Sequence, residues 1–314
     1  AGAGSVRGIS VMGLLLPGRL NEFVVIFISI FLQSLPFLLL GIFASALVHR
    51  YLSDEMLTRW LPRRPLPLVL VGSLFGFVAP VCDCGVIPLA RRLLAKGVPL
   101  AAATTLIIAA PVINPIVLLS TAFAFQGDWR IVALRMGITF SVALSAGLLV
   151  SRFFPEPARL RSPAGASPDP GVAHTAPRGG LPGLVTHATS EYFEVIFYVL
   201  LGGVFTAATQ TLLPRGDLMA LGASPLWSVL TLMPVASLLS ICSEADAFVA
   251  RAFATTFSGG AVLAFMTIGQ IVDLRMGFLL FCTLRLRVAL LIVGLGYGLI
   301  FGEALLINSL GAVR

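Results

Sequence analysis

Long apolar runs, separated by short polar or basic stretches, occupy most of the chain. The runs that are long enough to cross a bilayer as helices are Phe23–Val48, Pro99–Phe125, Ile131–Val150, Ser190–Leu213, Ala261–Phe281 and Leu284–Leu306. A helix rises ~1.5 Å per residue, so about 20 apolar residues span the ~30 Å hydrocarbon core of a membrane. The pattern therefore predicts an all-α polytopic membrane protein.

Two further pairs of apolar runs are too short to span comfortably, and each pair flanks a polar interruption. These pairs are Pro65–Ala79 with Val86–Ala95, and Ser224–Leu239 with Ala247–Phe257. In the first interruption, Pro80, Gly85 and Pro88 are expected to stop a regular helix. Basic residues precede and follow the first pair, and a re-entrant hairpin keeps them on one side of the membrane. Each pair is therefore predicted to form a re-entrant or broken helix hairpin.

The second half of the chain repeats the plan of the first at an offset of 160 residues, which aligns Cys82 with Cys242 and Arg91 with Arg251. Each half then contains three full spans and one hairpin. Because three is odd, the second half enters the membrane upside down, and the sequence predicts an inverted repeat with a midplane site. The predicted divisions are an N-terminal tail (1–21), a first repeat (22–151), a flexible cytoplasmic linker (152–187) and a second repeat (188–308).

Composition supports a membrane protein and excludes several function classes. The 314 residues are 58% hydrophobic and 11% charged, whereas soluble domains carry roughly 25% charged residues. The net charge of +7 indicates the positive-inside bias and not a nucleic-acid partner, since about fourteen of the 21 Lys and Arg fall on the predicted cytoplasmic side and about six outside. Four cysteines in no framework spacing do not suggest a disulfide scaffold. No nucleotide-binding loop is recognisable, so we expect no ATP-driven transport by this chain. We also expect a transporter and not an enzyme, without a cofactor.

The cysteines at the interruptions are the candidate ligands for a soft solute. Cys82 and Cys84 flank one residue, and their sulfurs can converge across a helix break. Thiolates select soft ions, and Cys242 of the second interruption can supply a third sulfur for a metalloid or soft metal that is the transported substrate. Two alternatives remain open: buried cysteines often act as small hydrophobic residues, and Cys82 could form a disulfide with Cys242.

Four carboxylates fall inside predicted membrane segments: Asp83, Glu244, Asp246 and Asp273. A charged group at membrane depth costs ~2.5–3.5 kcal/mol on insertion scales, so it is normally protonated, paired or hydrated. We expect these side chains to couple transport to protons or to neutralise a charged solute. The alternatives are structural pairing with Arg251, Arg275 or Arg285, and, for Asp246, capping of the helix that follows it.

Two amide side chains, Asn114 and Gln270, lie where spans of the two halves are interrupted, and Pro111 and Pro115 are predicted to break the first of these spans. Amide oxygens and freed backbone groups at such points can line a solute path, so both residues are candidate substrate contacts. Hydrogen bonding to the hairpin backbone is an equally acceptable role.

At these residues the chain resembles a known family. Pro80–Pro88 is similar to the Pro-x-Cys-Ser-Cys-Gly-x-Ile-Pro signature of predicted permeases of the ArsP/YraQ type, with Asp83 in place of the usual Ser, and Cys242–Phe248 is similar to that family's Cys-Ser-x-x-Asp-Ala-Phe signature. The segments Ala110–Pro115 and Gly269–Asp273 also match its pattern, and the resemblance covers roughly residues 22 to 305. It implies efflux, since the best-known members export trivalent organoarsenicals.

The sequence accordingly predicts a secondary-active permease of the inner (plasma) membrane. We expect it to export a small thiophilic solute, such as a trivalent organoarsenical, through a midplane site with cysteine ligands, and to use protons as the coupling ion. Its expected partners are the solute, the lipid bilayer and a second copy of the chain. Two other functions stay open: a membrane thiol oxidoreductase that uses Cys82 and Cys84, and a channel-like transporter of a small sulfur compound.

Overall fold

The computed structural model describes residues 18–51, 64–78, 83–95, 97–154, 196–197, 200–211, 224–274, 276–277, 280 and 286–311. Within this part of the chain the regular structure is helical, and no strand occurs. The helices are α1 (Gly18–Tyr51), α2 (Pro65–Val78), α3 (Asp83–Ala95), α4 (Leu100–Ile113), α5 (Pro115–Ala124), α6 (Trp129–Phe153), α7 (Pro225–Leu239), α8 (Asp246–Phe253), α9 (Gly259–Ile271) and α10 (Leu286–Leu310). Residues 200–211 are also helical.

Three helical stretches in the described part are long and apolar enough to cross a membrane: α4 with α5, α6, and α10, each of 25 residues. The helices α2, α7 and α9 are apolar but shorter. The prediction of a helical membrane protein is thereby confirmed, and the short runs on either side of the second interruption have become the two separate helices α7 and α8.

The interruption between α4 and α5 has a local cause. Asn114 adopts an extended conformation, and its side chain accepts a hydrogen bond from Ile116 N at 2.9 Å, which caps α5. Pro115 occupies the first position of α5, where the missing N–H has no intrahelical acceptor to lose. Pro111 was also expected to break this span, but it lies inside the last turn of α4. The break is therefore made by Asn114 and Pro115.

The two most enclosed helices, α4 and α9, form the centre of the bundle. Every residue of α4 is buried, as is almost all of α9, because these helices are apolar on all faces. In the first half α2 and α6 pack on α4 and on each other, and in the second half α7 and α10 pack in the same way on α9. The helices α4 and α9 also contact each other, so the core is continuous between the halves.

Small residues allow the close approach of α2 to α4. A Cβ atom at Gly72 would lie 2.8 Å from the carbonyl oxygen of Ala102, and one at Gly76 would lie 2.9 Å from the backbone nitrogen of Ala110. The backbones are therefore almost in contact, as is typical of helix packing in membranes. The outer surface is instead made of large apolar side chains such as Phe123 (77% exposed) and Leu74 (66% exposed), which is the composition that lipid requires.

Candidate functional site

The second polar interruption, between α7 and α8, is fixed against the end of α9. The helix α7 ends at Leu239, and Ser240 adopts a left-handed conformation (φ 45°) that turns the chain. The hydroxyl of Ser240 accepts a hydrogen bond from Leu274 N at 2.9 Å, just beyond the end of α9. The carbonyl of Cys242 then accepts the N–H groups of Ala245 and Asp246, both at 3.0 Å, and α8 begins. The break is thus an ordered, hydrogen-bonded turn inside the bundle.

A fully buried guanidinium group lies next to this break. Arg135, in the second turn of α6, is 0% exposed and donates from Nη2 to Asp246 Oδ2 at 2.7 Å. The same nitrogen donates to the carbonyl oxygen of Met266 at 3.2 Å, and Nη1 donates to Thr121 Oγ1 at 2.7 Å. One arginine therefore ties α5, α6, α8 and α9 together.

Gln270 completes this arrangement, which we call the Arg135 cluster (Arg135, Thr121, Asp246, Met266 and Gln270). Its Nε2 donates to Asp246 Oδ2 at 2.9 Å and to the carbonyl oxygen of Ile241 at 3.3 Å. The next residue along the chain, Cys242, is only partly buried. The structure thus brings Cys242, Asp246 and Gln270 to one break.

Asp246 is paired with an arginine, but with none of the three arginines that the sequence suggested. Its partner is Arg135, 111 residues earlier in the chain. Arg251 makes no ion pair with a residue that the structure describes, and Arg275 and Arg285 lie outside the described residues. Asp246 is also the first residue of α8, where a negative charge is favourable to the helix dipole.

Several polar atoms at this site have hydrogen-bonding capacity to spare. Arg135 Nε, Gln270 Oε1 and the hydroxyl of Ser243 are buried and have no hydrogen-bond partner among the described residues. A buried polar atom without a partner costs about 1–3 kcal/mol, so their grouping at one break is energetically unusual. Donors and acceptors of this kind are available to a small polar solute.

The other candidates of the described part have local structural contacts. Asp273 Oδ1 accepts a hydrogen bond from Met276 N, which caps the turn after α9. Asn114 caps α5 as described above, and its side chain is 2% exposed. Glu244 lies in the turn before α8. These contacts do not test a role in transport, so the assignments of these three residues stay predictions.

The first interruption is only partly described. Pro80 and Cys82 lie outside the described residues, as do the side chains of Asp83, Cys84 and Pro88. The helix α3 begins at Asp83, so Gly85 and Pro88 lie within its first two turns and do not separate it from α2. The contribution of Cys82 and Cys84 to a shared site with Cys242 therefore remains a prediction.

Two charged residues of the spans escaped the sequence analysis. Of the 21 Lys and Arg, about fourteen were assigned to the cytoplasmic side of the membrane and about six to the outside. The remaining one is Arg135, which lies within a predicted span. A lone arginine in an apolar run is itself a signal of function. The second is Glu303 of α10, whose Oε1 accepts a hydrogen bond from the hydroxyl of Ser141 on α6, and whose Oε2 is buried without a hydrogen-bond partner among the described residues.

Comparisons with known proteins agree on one family. The ArsP_1 family model, described as a predicted permease, matches residues 19–309. The chain is 37% identical over 290 residues to the UPF0718 protein YcgR of Bacillus subtilis, covering 90% of this chain and 96% of that protein. It is 35% identical over 260 residues to a putative two-component membrane permease complex subunit of Streptococcus mutans, covering 83% and 86% of the two chains. No solved structure gives a significant match.

Proposed function

Because the chain belongs to the ArsP_1 family of predicted permeases, we propose that it is a secondary-active permease that moves a small thiophilic solute past the α7–α8 break. Family membership supports a multi-pass membrane transporter, and the solute, the cysteine ligands, the direction and the coupling ion are our proposal. One observation carries it: a helix break within an apolar bundle gathers a thiol, a carboxylate, an amide and a guanidinium. Irregular backbone at membrane depth is tolerated where it is buried in protein or lines a cavity, and transporters bind their solutes at such breaks.

The direction of the second hairpin supports an inverted repeat. Pro225 at the start of α7 and Phe257 beyond the end of α8 line the same cavity, as does Phe125 at the end of α5. A hairpin that begins and ends at one end of the bundle would be re-entrant in a membrane, and the end in question is the one where the α4–α5 span finishes.

The first hairpin, α2 with α3, begins at the other end of the α4–α5 span. Gly72 and Gly76 of α2 meet Ala102 and Ala110 of α4 in the same chain order, so α2 and α4 run parallel and begin at the same end. Because α4–α5 begins at that end and finishes at the cavity, the two hairpins would enter from opposite ends and meet between them. This is the geometry in which inverted repeats hold a midplane site.

Cys242 would supply a soft ligand at this site, with Cys82 and Cys84 as the matching ligands from the first half. Three sulfurs suit a trivalent organoarsenical, which the family resemblance implies as the exported solute. Asp246 would neutralise charge or exchange a proton during transport, since Gln270 and Arg135 already hold its carboxylate in place. The relative from S. mutans is named as a complex subunit, so we also propose that a partner subunit or a second copy completes the transporter.

The test compares cysteine variants in everted membrane vesicles, which accumulate an exported solute. Uptake of methylarsenite, arsenite and thiosulfate would be measured for the unaltered protein and for Cys242→Ser and Cys82→Ser. Each substitution should reduce uptake of the preferred solute at least tenfold while the amount of inserted protein is unchanged. Cys282→Ser is the matched control and should transport normally, because this cysteine lies in the sequence outside both interruptions, between the predicted spans Ala261–Phe281 and Leu284–Leu306. Full uptake by Cys242→Ser and Cys82→Ser would eliminate the thiol mechanism, and uptake that a protonophore leaves unchanged would eliminate proton coupling.

A further inference from the structure

A cavity of about 420 Å³ opens at the end of the bundle where the second hairpin begins. Its wall is built by residues next to the ends of five helices: Phe125 after α5, Ile131 of α6, Pro225 of α7, Arg251 of α8 and Asn308 of α10. The first two turns of α9 complete it. A volume of this size holds a small solute, because ligand pockets start at ~300 Å³.

The wall carries a positive charge and, among the lining residues that the structure describes, no carboxylate. Arg251 is the charged member of this lining. Its guanidinium carbon lies 5.7 Å from the ring centroid of Phe125, a cation–π distance, and the side chain forms no ion pair with any residue in the described ranges. The aromatic ring holds the cation in position without neutralising it. An arginine with donors unused by a carboxylate is suited to binding an anion.

The inner wall of the cavity leads to the Arg135 cluster. Ile131 lies four residues before Arg135 on α6, and Val262 lies four residues before Met266 on α9. Four residues of helix are about 6 Å, so the buried cluster begins one turn below the cavity on two separate helices. The third helix, α8, carries Arg251 at the wall and begins at Asp246 in the cluster. On the way from the cavity to the α7–α8 break, the guanidinium group of Arg251 therefore comes first and that of Arg135 second.

We infer that this cavity is the vestibule of the permease and that the solute is a small anion, bound first at Arg251 and then at the Arg135 cluster. The inference rests on the proposed function, because it uses the α7–α8 break as the transport site. At the cluster the anion would share the guanidinium with Asp246, and Arg135 Nε is the buried donor that it finds unpartnered among the described residues. Asp246 Oδ1 and Gln270 Oε1 are unpartnered acceptors there, so the anion would approach them only with a proton between. The thiol of Cys242 is a weak hydrogen-bond donor, and a polarisable sulfur atom on the anion is a suitable acceptor for it, so the substrate class is a small anion that carries a terminal sulfur.

Thiosulfate is a suitable probe, because it is a small dianion with a terminal sulfur, and sulfate has the same charge without that soft atom. The full-length protein would be reconstituted in liposomes, and counterflow of ³⁵S-labelled thiosulfate would be measured, since counterflow does not depend on the coupling ion. The variants are Arg251→Gln and Arg251→Lys. The control is Arg152→Gln, because this exposed arginine lies at the other end of α6, about 30 Å along the helix from Ile131.

We expect Arg251→Gln to raise the KM for thiosulfate about tenfold, which is the effect of losing one charged contact, with little change in the maximal rate. Arg251→Lys keeps the charge and should stay within about threefold, and Arg152→Gln should leave the KM unchanged. Methylarsenite is uncharged, so Arg251→Gln should not alter its transport. An unchanged KM for thiosulfate in Arg251→Gln, or no thiosulfate transport by the unaltered protein, would overturn the inference.

Results that would overturn the vestibule can be distinguished from results that would overturn the proposed function. If Cys242→Ser transports thiosulfate normally while Arg251→Gln does not, the thiol site is wrong and the anion vestibule stands. If the unaltered protein carries sulfate as well as thiosulfate, the requirement for a sulfur atom is wrong both for the cysteine ligands of the proposed function and for the substrate class inferred here, and only the anion vestibule at Arg251 stands. If methylarsenite uptake depends on Cys242 and thiosulfate is not carried, the proposed function stands and the vestibule assignment is wrong.

Discussion

Replacement of Asp246 by Asn should destabilise the protein more than any other single substitution of a polar residue in the Arg135 cluster. The substitution removes the carboxylate that lies 2.7 Å from Arg135 Nη2 and leaves a guanidinium that is 0% exposed. Arginine cannot lose its proton in a protein, so the charge stays in the bundle without a counter-ion.

The magnitude follows from the burial of the pair. Removal of one partner of a buried ion pair costs about 3–5 kcal/mol, because the remaining charge is not compensated. Arg135 keeps its hydrogen bonds to Thr121 and to the carbonyl of Met266, which limits the loss to the ionic contact. Arg135→Gln leaves a carboxylate that can take up a proton, so it should cost less, and the difference between the two variants should grow as the pH is lowered.

The measurement is reversible unfolding of the purified protein in mixed micelles of increasing sodium dodecyl sulfate content, followed by circular dichroism. The double variant Arg135→Gln with Asp246→Asn replaces both charges by amides. It should lose only about 1–2 kcal/mol, because one or two neutral hydrogen bonds change. The double-mutant cycle should therefore show a coupling free energy of about 3 kcal/mol or more.

Asp128→Asn is the matched control, because Asp128 caps α6 from an exposed position by accepting a hydrogen bond from Arg130 N at 3.0 Å, and asparagine caps equally well. Its free energy of unfolding should stay within about 0.5 kcal/mol of the unaltered protein. The reasoning would be refuted if Asp246→Asn cost less than about 1 kcal/mol, or if the effects of the two single variants were additive in the double variant.

Three further predictions concern other parts of the bundle. Gly147→Leu should lower the free energy of unfolding by about 1–3 kcal/mol, because the new side chain would enter the contact between α2, α4 and α6. Gly137→Ala on the same helix is the control: its Cβ atom would meet nothing within 4 Å, so it should be neutral or slightly stabilising in the same unfolding assay. Asn114→Ala should cost about 1 kcal/mol through loss of the α5 cap, and Asn114→Ser, a neutral capping residue, should restore most of the stability; if Asn114→Ser restores the stability but not transport, Asn114 also contacts the solute. Glu303→Gln removes the charge but keeps a hydrogen-bond acceptor for the hydroxyl of Ser141. If Glu303 exchanges protons, the transport rate of this variant should no longer respond to an imposed pH gradient, and an unchanged response would exclude that role.

The local breaks could be predicted from the sequence because their causes are local. The run Ser224–Leu239 became α7 (Pro225–Leu239), since Pro at the first position and the polar residues after Leu239 determine both ends. Asn114 and Pro115 likewise mark the division of a span, because an amide caps the next helix and proline favours its first position. Such signals need only neighbouring residues.

The contacts of the cluster could not be predicted, because they join residues that are distant in the chain. Thr121 and Met266 are unremarkable in an apolar run, and only the packing of α5 and α9 on α6 gives them a role. The partner of Asp246 was sought among arginines close to the interruptions, whereas the pairing depends on which face of α6 is turned toward α8. Periodicity does not specify that face in a helix that is apolar on most sides.

The position of Arg135 in the chain also has a consequence for biosynthesis. Its carboxylate partner is made 111 residues later, which at 5–20 residues per second is a delay on the order of ten seconds. During that interval α6 must enter the bilayer with an unneutralised guanidinium, and Thr121 is the member of the cluster that has already left the ribosome. The insertion machinery, or water that follows the side chain, has to shelter this charge until α8 arrives.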